Sequence, residues 1–466
     1  MLDKKIGRTA FLAIIIVIVI GAGSVGGYYF YYVAPSGERR SIKIGLVAPY
    51  SIAVGQDMDR AAKMAVAEIN AAGGIYVSEW RTKVLVELVI ADTKDDAPSS
   101  DALAAVTKAV INDKVDLLVG GFGSSGTLAN QVVAVENRVP YIITGASTHL
   151  VTRRGPQGNY GGLPEGSTTR ITDAEGMSYM FHYCTTTYHY SKTVVHFFAE
   201  VMKPVVAPNR NFRLAILYRD DAFGGGVVGA SKSFITSDNL PIDVVAEVKY
   251  PITSTTWQAY LTTIKASKPD AVYVVDFTAQ TAEIIREGQK DVGLNTEYIA
   301  VECCEEPEFY SLLGEWGKYQ LLESKFASYA GPPFYLPTID TYVAAYKARY
   351  NTIPGMMGAD TYDAIYIAKD AIERAGSVNK AKVRTAIEST NLNQMLIMTQ
   401  TGKIQFSTAA DTYHEIAPVT FVEQLFWNTN VNECRPKVIY PQTAPIVGTL
   451  NQTTFQLPST YTPGSP

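Results

Sequence analysis

From residue 41 onward the chain alternates short apolar runs with amphipathic ones, and this alternation limits the possible folds more than any other feature. Residues 41–49 (SIKIGLVAP) predict a buried strand, and 56–72 a helix with small and apolar residues at helical spacing, stopped by Gly73 and Gly74. The unit repeats as strand 84–90, helix 100–112, strand 115–120, helix 126–137 and strand 141–144. Residues 152–173, rich in Gly, Thr, Arg and Pro, break the rhythm as a long loop or insertion. A second series follows a helix at 191–202: strand 212–218, a helix after Gly224, strand 244–250, helix 257–267, strand 271–276, helix 280–288 and strand 298–301. Helices at 340–350, 358–375 and 380–389 then precede short strand-like pieces near 404 and 418–426. Strands alternating with helices imply parallel sheets covered on both faces, so the expectation is α/β with two doubly wound lobes.

At 466 residues the chain exceeds one typical domain, and 47% hydrophobic against 18% charged residues suits a packed core rather than disorder. Forty Lys plus Arg against 45 Asp plus Glu leave a formal charge of −5, with no electrostatic footprint for a nucleic acid.

Residues 11–33 carry no charge. As a helix rising about 1.5 Å per residue they would cover a hydrocarbon layer of roughly 30 Å. Lys4, Lys5 and Arg8 precede the stretch, and the aromatic run Tyr28, Tyr29, Phe30, Tyr31, Tyr32 suits the far interface. The reading is a membrane helix anchoring an exported protein; a cleaved signal peptide is the competitor, since 11–20 has the length of an h-region. Arg39 and Arg40 beyond the stretch weaken the orientation argument. The final residues, 441–466, rich in Pro, Thr and Gln, predict a solvated tail with a glycosylation sequon at Asn451.

Candidate chemistry gathers at predicted strand ends. Gly121, Gly123 and Gly126 match the letters GxGxxG after a strand, but the next strand ends in Tyr141-Ile142-Ile143-Thr144-Gly145 without the acidic residue a dinucleotide ribose requires. No cofactor is expected. The physical feature that survives is a helix start with free N–H groups beside the hydroxyls of Ser124 and Ser125, suited to a carboxylate. Ala146, Ser147 and Thr148 follow the next strand and offer acceptors for an ammonium, or simply cap a turn. Glu302, after strand 298–301, would face the same crevice and could neutralise that ammonium, or lie in a solvated acidic loop. His182, His189 and His196 lack a metal-ligand spacing, so no metal is expected, and no Ser-His-Asp or GxSxG arrangement points to an enzyme. Cys184, Cys303, Cys304 and Cys434 have no zinc spacing; Cys184 could pair with Cys434, and adjacent Cys303 and Cys304 rarely bond each other.

Taken together, Ile42-Lys43-Ile44-Gly45-Leu46-Val47-Ala48-Pro49, Gly55-Gln56-Asp57-Met58, Ala67-Glu68-Ile69-Asn70-Ala71-Ala72-Gly73-Gly74-Ile75, Gly145-Ala146-Ser147-Thr148, Arg219-Asp220-Asp221-Ala222-Phe223-Gly224 and Lys268-Pro269-Asp270-Ala271-Val272 resemble the leucine-isoleucine-valine group of periplasmic binding proteins, over about 41–430. The resemblance implies the type I fold, with lobe 1 at 41–187 and 327–410, lobe 2 at 188–326 and 411–440, and three crossings between them. It also implies an extracytoplasmic ABC-importer component that binds a branched-chain or related amino acid as a monomer and delivers it to a permease. It assigns Ser124 and neighbouring N–H groups to the ligand carboxylate and Ala146 and Thr148 to the ammonium, with Phe223, Phe277 and Glu302 as further contacts. Where the group has an acidic residue after a Phe-Arg pair, this chain has Phe181-His182 followed by Thr185, Thr186 and Thr187. One ammonium partner is missing, and an amide, urea-like or carboxylate ligand stays open. A sensing ectodomain would use the same pocket but needs an output module, for which the roughly ten residues before the apolar stretch are too few. The whole reading requires a cleft with room for a guest.

Overall fold

Two sheets carry the alternation. The computed structural model describes residues 41–464, except 95–97, 329–335, 442, 445–447 and 450–453. The expected membrane segment at 11–33 and the sequon at Asn451 lie outside the described residues, among which no helix is long and apolar enough to cross a membrane.

The first sheet contains β1 (Ile42–Ala48), β2 (Val86–Asp92), β3 (Leu117–Gly120), β4 (Tyr141–Ile143) and β5 (Met180–His182), all parallel, in the order β2-β1-β3-β4-β5. The second contains β6 (Phe212–Arg219), β7 (Ile242–Tyr250), β8 (Ala271–Val275), β9 (Glu297–Ala300), β10 (Leu321–Ser324), β11 (Phe421–Asn428) and β12 (Glu433–Tyr440). Its order is β12-β11-β10-β9-β8-β6-β7; β11 runs antiparallel to both its neighbours, β10 and β12, and the other neighbouring strands pair parallel. The central strands are apolar runs buried on both faces, as helix-covered parallel strands must be.

Both sheets repeat one switch in strand order: β1 lies between β2 and β3, and β6 between β7 and β8. Helices leaving the sheet in opposite directions at such a point open a crevice at the strands' carboxyl ends. At those two points start α2 (Ser124–Glu136), after β3, and α5 (Thr278–Glu287), after β8. The chain passes to the second sheet through α3 (Thr187–Phe197), and α4 (Ala222–Ser237) follows β6. After β10 it returns to pack α6 (Met356–Ala375) against α1 (Ala53–Ala71), then re-enters the second sheet as β11. The Tyr346 hydroxyl, just before α6, fastens this return by donating to Asp57 of α1 at 2.5 Å.

The tail departs from the expectation of a solvated spacer. Gly464 N donates to Asp270 Oδ1 at 2.8 Å, Arg210 donates to Gly464 O at 2.5 Å, and Phe455 packs on Phe197 with ring centroids 5.9 Å apart. A fully buried carboxylate needs donors, and the tail's backbone supplies one of those that hold Asp270. The 152–173 insertion is also fastened, by a bidentate Arg153–Glu415 pair at 2.5 Å.

Candidate functional site

Ser124 starts α2 because Gly120 and Gly121, both at positive φ, turn the chain sharply out of β3. The cap residue Gly123 has no side chain to bond the first N–H groups, so the start of α2 carries no side-chain cap. Ser147 follows β4, Phe223 lies in the first turn of α4, Phe277 precedes α5, and Glu302 opens the turn after β9. These residues, from five separate segments, line one cavity with Phe122, Gly145, Cys303 and Met357.

The remaining expected residues are occupied within the protein. Ser125 Oγ accepts from Ala222 N at 3.4 Å, which ties α2 to α4. The Ala146 carbonyl accepts from His182 Nε2 at 2.7 Å; burial depresses the pKa of His182 well below its ordinary value, so the neutral ring donates there. Thr148 Oγ1 accepts from Leu150 N at 3.4 Å and so caps the turn, while Thr148 N donates to Ser124 Oγ at 3.3 Å. Ser147 Oγ accepts from the Tyr190 hydroxyl at 2.9 Å.

The expected room is not there in this conformation. The cavity measures about 10 Å³, space for roughly one water. Phe122 from the first sheet and Phe277 from the second meet at 4.7 Å between centroids, and Phe223 stacks on Phe277 at 5.9 Å. Behind Phe277 the Arg219 guanidinium lies 3.8 Å from the ring centroid, held by Asp221 at 2.7 Å and Asp276 at 2.8 Å. The site is therefore shut by aromatic contact across the two sheets, and a guest must part the rings.

Glu302 lies 2% exposed with Oε2 lacking a hydrogen bond. Burial raises its pKa to about 7. Its nearest cation is Lys325 Nζ, 4.0 Å away, which is itself paired with Asp360 at 2.8 Å. Phe122 and Gly145 belong to motifs already noted in the sequence, whereas nothing in the sequence marks Lys325 or Asp360 as buried charges. The histidines are dispersed: His182 is in the core, His189 completes the capping of α3, and His196 pairs with Glu200 and Asp238 at the surface. All four cysteines are buried thiols, Cys184 within 3.0 Å of His182 and Cys434 beside Gly314.

Residues 41–424 match the family model for periplasmic binding proteins. The chain belongs to the periplasmic binding protein family. The leucine-, isoleucine-, valine-, threonine- and alanine-binding protein of Pseudomonas aeruginosa is 23% identical over 391 residues, 83% of this chain and 90% of the relative. The solved leucine-binding protein LivK of Thermotoga maritima superposes with a TM-score of 0.67 at 20% identity, over 86% of this chain and 99% of its own. A solute-binding protein of Rhodopseudomonas palustris in complex with 3,4-dihydroxybenzoic acid also scores 0.67, at 19% identity, over 88% and 98%. Family and fold are those of periplasmic binding proteins.

Proposed function

We propose that this periplasmic binding protein takes a small apolar amino acid of the branched-chain type into the cavity between its sheets and presents it, closed, to an ABC permease. The observation that carries the reading is polarity across one cavity: the start of α2 and Ser124 on one side, the unpaired oxygen of Glu302 on the other. A carboxylate bonds to the helix start, an ammonium satisfies Glu302, and the apolar side chain takes the place of the Phe122–Phe277 contact. Ala146 and Thr148, whose polar atoms are engaged internally, contribute shape and hold Ser124 in place. Ligand entry requires the sheets, as two lobes, to part. A ligand then favours closure only through interactions it makes in the closed form and not in the open one, which Phe223, Phe277 and Glu302 supply. Residues 11–33 anchor the protein at the outer face of the membrane, and it works as a monomer.

A benzoate-type acid is the second reading, favoured by the cluster of Phe122, Phe223 and Phe277 and by the ligand of the Rhodopseudomonas palustris neighbour. Titration calorimetry with leucine, its des-amino analogue 4-methylpentanoate and benzoate separates the two. The amino-acid reading expects leucine to bind best and Glu302→Gln to weaken leucine about tenfold or more while sparing both acids. Tight benzoate binding with no response to Glu302→Gln establishes the second reading and removes the first.

A further inference from the structure

Lys325 is a fully buried cation on the segment leaving β10, and three other elements converge on it. Asp360 reaches it from the second turn of α6 at 2.8 Å, Thr185 Oγ1 from the segment after β5 at 3.5 Å, and Glu302 from the turn after β9 at 4.0 Å. Asp360 and Glu302 are likewise buried, and Glu302 alone of the three charged groups lines the ligand cavity. A carboxyl buried without a cation gives up its charge, because desolvation is costlier than protonation.

We infer that Lys325 is a positioning residue for ligand choice: resting on the amino-acid reading of the cavity, it favours the anionic form of Glu302 and so lets the site distinguish an ammonium-bearing ligand from its des-amino analogue. The other titratable groups around Glu302 supply no positive charge. They are Glu323 on β10, Cys303 beside it, Cys184 after β5, Tyr190 on α3 and Tyr273 on β8. Glu323 is fully buried, and burial together with its neighbour Glu302 pushes it well above the carboxylate range, so it holds a proton. For Glu302, burial pushes the pKa up and Lys325 pulls it down, to a net value of about 7. Lys325 itself stays charged: burial alone would lower its pKa, but Asp360 and Glu302 raise it above the ordinary lysine value; burial also pushes Asp360 upward, and the lysine 2.8 Å away opposes that rise. The pairing with Asp360 holds the ammonium in place while leaving its charge within reach of the cavity wall.

The test reads Glu302 directly. Protein labelled with carbon-13 at glutamate Cδ is titrated by NMR, the Glu302 signal being assigned by its loss in Glu302→Gln. In Lys325→Met, and in Lys325→Met with Asp360→Asn should the single variant fail to fold, the Glu302 midpoint rises by about one to three pH units. In Lys325→Arg it stays near wild type. Calorimetry on the same proteins shows the leucine to 4-methylpentanoate affinity ratio falling towards one when the lysine is removed and surviving in Lys325→Arg. An unmoved midpoint in the lysine-free protein overturns the inference, as does an unmoved affinity ratio beside a wild type that prefers leucine. A wild type without that preference refutes the amino-acid reading instead, and the titration still decides whether Lys325 governs the charge of Glu302.

Discussion

The hydroxyls of Ser124 and Thr148 do unequal work, although the sequence points both at a ligand. Ser124 lines the cavity at the start of α2. Thr148 spends its hydroxyl on Leu150 N, outside the cavity, and its N–H on Ser124. Removing the Ser124 hydroxyl leaves a ligand carboxylate one donor short, so Ser124→Ala costs about 1–3 kcal/mol of leucine binding by calorimetry. Thr148→Ala keeps the backbone donor and costs less than Ser124→Ala, its effect appearing in unfolding and not in binding. Equal losses in both variants would put the Thr148 hydroxyl on the ligand. Sequence could mark both residues as strand-end hydroxyls, since that follows from spacing. Which hydroxyl remains free depends on the local turn, and a turn's hydrogen bonds are not encoded in the spacing of the strands.

Among the elements, α4 shows how a helix start braces an aromatic wall. Asp221 caps α4 by accepting from Gly224 N at 2.9 Å, and its other oxygen holds the Arg219 guanidinium at 2.7 Å, which in turn backs the Phe277 ring. Asp221→Ala removes both functions and lowers stability by about 1–2 kcal/mol; Asp221→Asn keeps the cap and loses mainly the charge. Denaturant unfolding of the two variants therefore separates them, and equal losses would show that the cap contributes little. The central strands and most helices were readable because their periodicity is strong: 141–144 and 212–218 differ from β4 and β6 by one residue at an end. α2 begins two residues before the expected 126, since a glycine-rich start carries no apolar signal. β10 escaped altogether: Leu321-Leu322-Glu323-Ser324 is a short strand whose Glu323 is fully buried, and sequence assigns a glutamate to the surface. The docked tail was missed for a related reason. Its partner Asp270 is buried and lies nearly two hundred residues away in the chain, and neither fact leaves a local trace.

Over the whole molecule, buried carboxyl groups govern the response to pH. Burial raises Asp57 to about 6, Glu302, Asp363 and Glu415 each to about 7, and Glu305 to about 8. In the unfolded chain the same groups ionise near 4. Between those limits the folded protein binds more protons than the unfolded one, so stability falls as pH rises and levels off above the highest folded value. Glu79, Asp92, Asp238 and Glu388 are lowered by their hydrogen bonds and ion pairs, but they are mostly exposed and act only on the acid side of the window. Scanning calorimetry should therefore find Tm highest near pH 4 and lower at pH 7 and again at pH 9, whereas most proteins are most stable between about pH 5 and 8. A flat or rising Tm would mean that water or rearrangement reaches these groups. The groups are not scattered at random. Asp57 stands on α1 of the first sheet, and Glu305 with its neighbour Glu306, also raised by burial, follows β9 of the second. Ionising this set places like charges across the junction that the Phe122–Phe277 contact holds shut, so the closed form and the folded form lose stability together as the solution turns alkaline.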